Sequence, residues 1–168
     1  MKKTVLRFGL YGALTICILF LTSWYLLNDL SFSTQEVLGY VSMVLSLGFV
    51  YFGIKHFRDK ENAGKIRFKK ALIIGILISL ITAVAFGALD VLFTEVLNPD
   101  FMVEYYDATV ESMRNAMAPD EFKVKLAELE AQKEMFSNPI FSFGLMAMTV
   151  FVIGFIISLI SALILQRK

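Results

Sequence analysis

The sequence predicts an all-α fold: a four-transmembrane-helix bundle with an extracytoplasmic helical insertion between helices three and four. Three observations predict it. First, the runs 8–27, 37–54, 71–89 and 140–165 contain no Asp, Glu, Lys or Arg. Each is long enough for an α-helix to cross hydrocarbon, which takes about 18–20 residues. Second, the segments joining them alternate in charge. The N-terminus, the connection 55–70 and the C-terminus hold 12 of the 16 Lys and Arg with only Asp59 and Glu61 as acids, a balance of +10. The remaining segments hold Arg114, Lys123, Lys125, Lys133 and 13 acids, a balance of −9. Basic flanks stay in the cytoplasm, so both termini are expected inside. Third, residues 98–138 form the one long polar stretch, and it carries helical periodicity.

Composition agrees with this class. The chain has 168 residues, 57% of them apolar, with a mean hydropathy of +0.68, more than a water-exposed surface allows. One integral membrane domain over 1–168 accounts for that length. Cys17 is the single cysteine, so an internal disulfide is excluded. Met1-Lys2-Lys3 before an apolar run imitates a signal peptide. The run is longer than the 7–15 residues of a signal core, and no Ala-x-Ala site follows, so it reads as a retained helix.

Helix one is expected over 6–27, with Trp24 and Tyr25 near its outer end, where amphipathic rings favour headgroups. A short acidic loop, 28–36, follows. Helix two is expected over 37–57. The connection 55–70 reads KHFRDKENAGKIRFKK, with a turn at Asn62-Ala63-Gly64. Helix three begins near Phe68, with its membrane part over 70–92. Its pattern continues to Leu97 and stops at Asn98-Pro99-Asp100, which is itself a helix-start signal. Met102, Tyr106, Val110, Met113 and Met117 then share one helical face. Ala118-Pro119-Asp120-Glu121 breaks and restarts the helix, and Phe122, Leu126, Leu129 and Phe136 form the next face. Ser137-Asn138-Pro139 caps helix four, expected over 140–165. The two amphipathic helices over 98–138 must bury their apolar faces against each other, the bilayer surface or another chain.

Small residues recur every four positions: Gly75, Ser79, Ala83 and Gly87; Gly154, Ser158 and Ala162; and Gly9, Ala13 and Cys17. In lipid such rows let helix backbones approach closely. They fit packing inside one bundle better than an oligomer interface or a sliding transporter surface. Asp90 lies about 20 residues into helix three and is expected to end the hydrophobic span near the outer headgroups. With no other acid or base deep in a run, proton-coupled transport is disfavoured.

Asp100, Glu104, Asp107 and Glu111 make an acidic stripe. A solvated face is the simpler reading. With Met102, Tyr106 and Met113, the stripe is the candidate surface for a membrane-protein partner or a second copy of the chain. No calcium-loop pattern accompanies it, and no metal or cofactor is expected. Lys55, Arg58, Lys65, Arg67, Lys69 and Lys70 are candidate contacts for anionic lipid, at roughly 1 kcal/mol each near a bilayer surface. The segment is too short and membrane-proximal for nucleic acid. His56 is the sole histidine, and no HExxH, GxSxG or P-loop occurs. A non-catalytic protein is therefore expected, with a lipid-modifying enzyme using Asp90, Glu95 or His56 ranked last.

A resemblance adds to this reading. Gly39-Tyr40, Phe52-Gly53-Ile54-Lys55, Arg58-Asp59-Lys60-Glu61, Gly64-Lys65-Ile66 and Phe68-Lys69-Lys70-Ala71 are similar to the family called domain of unknown function 4199. So are Asn98-Pro99-Asp100-Phe101, Asn138-Pro139 and the run from Ser158 through Leu159-Ile160-Ser161-Ala162-Leu163-Ile164 to Leu165. The likeness covers nearly the whole chain and is most specific from Phe52 to Ala71. It implies a small multi-pass protein of a Bacteroidetes-type bacterial inner membrane, with four helices. It implies no activity. The functional expectation is a non-catalytic interaction or scaffold protein whose outer helices engage a partner. The alternative is a subunit of an oligomeric small-molecule or ion transporter or channel.

Overall fold

The computed structural model describes residues 1–27 and 30–167. Asn28 and Asp29 of the expected acidic loop, and the basic Lys168, lie outside the described residues. The elements are α1 (Lys2–Leu26), α2 (Phe32–His56), α3 (Phe68–Leu92), α4 (Phe101–Ala116), α5 (Pro119–Phe136) and α6 (Pro139–Leu165). α2 continues through a π turn, Phe57–Glu61, and α3 through another, Phe93–Leu97. Among the described residues, extended pairing is confined to one bridge between Ile66 and Arg167. Four helices are long and apolar enough to cross a membrane: Lys2–Leu26, Phe32–Glu61, Phe68–Leu97 and Pro139–Leu165. The chain is thus all-helical with four apolar spans, as expected.

Boundaries differ where capping outranks polarity. α2 starts at Phe32, not 37, because the Ser31 side chain accepts from the Thr34 N–H at 3.4 Å. Such a cap offsets the cost of placing Gln35 and Glu36 in the first turns. α4 starts at Phe101, after the Asn98-Pro99 signal rather than on it. The Phe101 N–H donates to the Asn98 carbonyl at 3.1 Å, and the Asn98 amide reaches Glu104 at 3.4 Å instead of capping. The start of α6 follows the sequence reading: Asn138 Oδ1 accepts from the N–H groups of Ile140 at 3.0 Å and Phe141 at 3.4 Å.

The chain divides into two compact units. The first comprises Met1–Phe86 and Met146–Lys168. Ile16, Leu47, Val50, Ile54, Ile74, Ile78, Val150 and Ala162 form its buried core. Leu14 and Ile18 on α1, Val44 and Leu45 on α2, Leu80 and Val84 on α3, and Ile156 and Ile160 on α6 are exposed. Serines and threonines meanwhile lie inside, which reverses the sorting of a water-soluble domain. Lipid explains the reversal: leaving apolar side chains outside costs nothing there, and small polar residues permit close helix packing. The buried hydroxyls turn back on their own helices. Ser46 donates to the Ser42 carbonyl at 2.7 Å and Thr82 to that of Ile78 at 3.3 Å. Among the described residues, every buried side-chain polar atom has a hydrogen-bond partner.

The second unit is Gly87–Leu145. Leu89, Phe93 and Leu129 are buried in it, and the Phe93 and Phe101 rings meet edge to face at 5.4 Å. α4 and α5 pack as a helical hairpin.

Candidate functional site

In the first unit, the small residues of α3 and α6 face each other. A Cβ built on Gly75 would lie 2.7 Å from the Ser158 Cβ, and one on Gly154 would lie 2.5 Å from the Ser79 Cβ. Each glycine therefore receives the serine of the opposite helix. Each serine also donates to the carbonyl of the glycine four residues before it, Ser79 to Gly75 at 2.9 Å and Ser158 to Gly154 at 2.6 Å. Ala83 and Ala162 are buried too, and Gly87 is buried in the second unit. The helix-one row is partly different from the one expected. Gly9 and Gly12 make the tight approaches, Gly9 to Ile81 and Gly12 to Thr82 and the Ser46 carbonyl, while Cys17 is only half-buried. Gly9 and Gly12 share a face at a spacing of three, outside the four-residue repeat of the other rows.

The basic end of the first unit is built from three chain segments. Arg58 is buried, with 8% exposure, and its guanidinium donates to the Leu165 carbonyl at 3.3 Å. Asp59 accepts from its Nε at 2.6 Å and its Nη2 at 3.2 Å. This fork satisfies an orphan carbonyl at the C-terminal end of α6, where a cation is also favoured by the helix dipole. Arg58 is therefore a brace and is not presented to a lipid headgroup. Ile66 and Arg167 exchange both backbone hydrogen bonds, at 2.9 and 2.8 Å. The N-terminal amine meets Glu61 at 2.6 Å, and Thr4 donates to the same carboxylate. Ala63 and Gly64 turn the connection with φ of 51° and 77°, the left-handed region. Lys55, Lys65, Arg67, Lys69 and Lys70 are exposed around this base. The Lys70 ammonium also lies 4.8 Å from the Phe57 ring centroid. His56 is half-buried, its ring 5.4 Å from that of Phe8. No local sequence signal marks the Arg58–Leu165 brace or the Ile66–Arg167 bridge, because each joins residues about a hundred positions apart.

In the second unit, the hairpin separates the two halves of the candidate partner surface. Asp100, Glu104, Asp107 and Glu111 are all exposed, whereas Met102, Tyr106 and Met113 are half-buried on the other side of α4. The Tyr106 hydroxyl donates to Glu130 on α5 at 3.3 Å, and the Lys133 ammonium sits 4.3 Å from its ring centroid. Partial desolvation pushes the Tyr106 phenol above its ordinary value, and the Glu130 charge and hydrogen bond add to the shift. On α5, Lys125 pairs with Glu128 at 2.8 Å, which raises the lysine.

Asp90, expected to end the hydrophobic span, is not a solvated carboxylate. It is buried, with 8% exposure, and accepts from the Ser142 hydroxyl of α6 at 2.7 Å. The helix continues past it because the π turn keeps Phe93–Leu97 helical, and Thr94 donates to the Asp90 carbonyl at 3.0 Å. Among the described residues, no three His, Cys, Asp or Glu side chains gather as a metal site.

No curated protein and no solved structure matches this chain. The family model described as Protein of unknown function (DUF4199) matches residues 7–167, nearly the whole length. The chain, an all-helical protein with four apolar spans, belongs to that family.

Proposed function

We propose that this is a non-catalytic scaffold of a bacterial inner membrane that presents the α4–α5 hairpin outside the cytoplasm to a partner with a basic face. The whole chain is then one integral membrane domain, with helices 98–138 as its extracytoplasmic insertion and both termini in the cytoplasm. The +10 and −9 balances support that orientation, since Lys and Arg resist translocation. The Bacteroidetes-type origin rests on the family resemblance alone.

One observation carries the docking reading. The hairpin half-buries Met102, Tyr106 and Met113, and it leaves Asp100, Glu104, Asp107 and Glu111 exposed on the opposite face of α4. Four carboxylates on adjacent turns steer a cationic surface by charge complementarity. The test is site-specific cross-linking from α4 in native membranes. The combined variant Asp100→Asn, Glu104→Gln, Asp107→Asn, Glu111→Gln should lose the wild-type cross-link, which should map to a Lys- or Arg-rich segment of the partner. The same cross-links in both proteins would remove this reading.

The second reading, a subunit of an oligomeric transporter or channel, has less behind it. It rests on the small-residue rows, and those of α3 and α6 fill each other within one chain. A monomeric particle by light scattering in nanodiscs would eliminate it.

A further inference from the structure

A groove of about 390 Å³ runs along α1 and α2 in the first unit. Its walls are four aromatic rings, Phe8 and Tyr11 from α1 and Phe49 and Phe52 from α2. Residues three apart share a helix face, so each helix contributes one pair. The rings adjoin in series: Phe8 to Tyr11 at 5.8 Å, Tyr11 to Phe49 at 5.8 Å, and Phe49 to Phe52 at 6.4 Å. Tyr11 and Phe52 are exposed, on the outside of two helices apolar enough to cross a membrane. In a bilayer, what covers such a wall is hydrocarbon.

One end of the groove is cationic. Lys55 and Lys60 line it, and both are exposed. Arg7 joins them by donating its Nε–H to the Tyr11 hydroxyl at 3.0 Å, with its guanidinium 5.7 Å from that ring's centroid. Asp59 is the acid in the lining, but Arg58 engages both of its carboxylate oxygens. The local balance at the mouth is therefore positive. Cationic side chains at the end of an apolar span extend their heads into the headgroup layer while their stems stay in hydrocarbon.

We propose that this groove binds one anionic phospholipid of the surrounding bilayer, its acyl chain along the four rings and its phosphate at Lys55 and Lys60. Charge complementarity selects the headgroup, because a zwitterionic lipid brings its own cation to a site that already holds three. The ring wall selects a lipid over a soluble phosphate, which has no chain to lay on it.

Native mass spectrometry of the delipidated full-length protein tests this, with dioleoyl phosphatidylglycerol and dioleoyl phosphatidylcholine as probes. The wild type should retain one phosphatidylglycerol about tenfold more tightly than phosphatidylcholine. Each lysine near a bilayer surface contributes roughly fivefold, so the pair Lys55→Gln, Lys60→Gln should weaken phosphatidylglycerol by about twenty-five-fold. Lys123→Gln with Lys125→Gln, two exposed lysines of α5 that do not line the groove, should change it less than about twofold. The wild-type comparison of two lipids needs no variant to fold. Equal retention of both lipids, equal loss in both lysine pairs, or displacement of the lipid by an equal concentration of glycerol phosphate would each overturn the proposal.

Discussion

The Ser79 and Ser158 hydroxyls lie 3.3 Å apart, and each serine sits over a glycine of the opposite helix. The pair is a lock in which the missing side chains matter more than the hydrogen bond. Each hydroxyl already has a carbonyl of its own helix, so losing the mutual contact frees no unsatisfied group. Filling either glycine position, by contrast, forces α3 and α6 apart.

Gly154→Val should therefore destabilise the protein by about 1–3 kcal/mol, the usual cost of overpacking. Gly48→Ala should stay within about 0.5 kcal/mol, because nothing lies within 4 Å of a Cβ there. Thermal unfolding in one detergent compares them. Equal melting temperatures for the two variants would contradict the lock.

Ser79→Ala and Ser158→Ala should each cost less than about 1 kcal/mol, in line with hydroxyl contacts between helices in lipid. A double-mutant cycle reads their coupling directly. A coupling above about 2 kcal/mol would mean the hydroxyl pair, not the glycine seats, holds α3 against α6.

Arg58→Gln should cost about 2 kcal/mol, since it removes a charged donor from the Leu165 carbonyl and leaves Asp59 without its fork. Arg58→Lys should recover little of this, because an ammonium cannot reach the carbonyl and both carboxylate oxygens in one plane. Hydrogen exchange at the Ile66 and Arg167 amides is the readout, and full protection in the Lys variant would refute the brace.

Much of the fold is legible in the sequence, and the reasons are local. Uncharged runs the length of a bilayer give the spans, and Asn138-Pro139 gives the start of α6, since a cap and its helix lie within a few residues. The rows through Gly75 and Gly154 are legible because lipid-phase packing depends on side-chain size, which a sequence displays. Arg58 and Asp90 are not legible. A basic residue in a basic connection looks solvated, and an acid at the end of an apolar run looks like its border. Only the arrival of Leu165 and Ser142 from α6 turns each into a buried, bonded group. The halves of the partner surface illustrate the same limit. Periodicity puts Tyr106 and Glu104 on α4, but only α5 decides which side is covered.

Tyr106 supplies a pH test of the hairpin. Its phenol is held above the ordinary value of 10.0, so the folded state favours the protonated form. The stabilisation is complete below the unfolded value near 10.0 and is lost as pH rises through the higher folded one. Absorbance titration of the wild type minus Tyr106→Phe should show one phenol ionising above 10.0. A difference curve centred at or below that value would place Tyr106 away from Glu130.

The central proposal is that the hairpin is extracytoplasmic and the basic connection cytoplasmic. Cysteine labelling tests it most directly, with Cys17→Ser as background and single Glu111→Cys, Asp120→Cys or Lys65→Cys substitutions at exposed positions. In intact spheroplasts, a membrane-impermeant maleimide should label the two hairpin positions at once and the Lys65 position only after the membrane is opened. Labelling at Lys65 in sealed spheroplasts, or none at Glu111 and Asp120, would contradict the account.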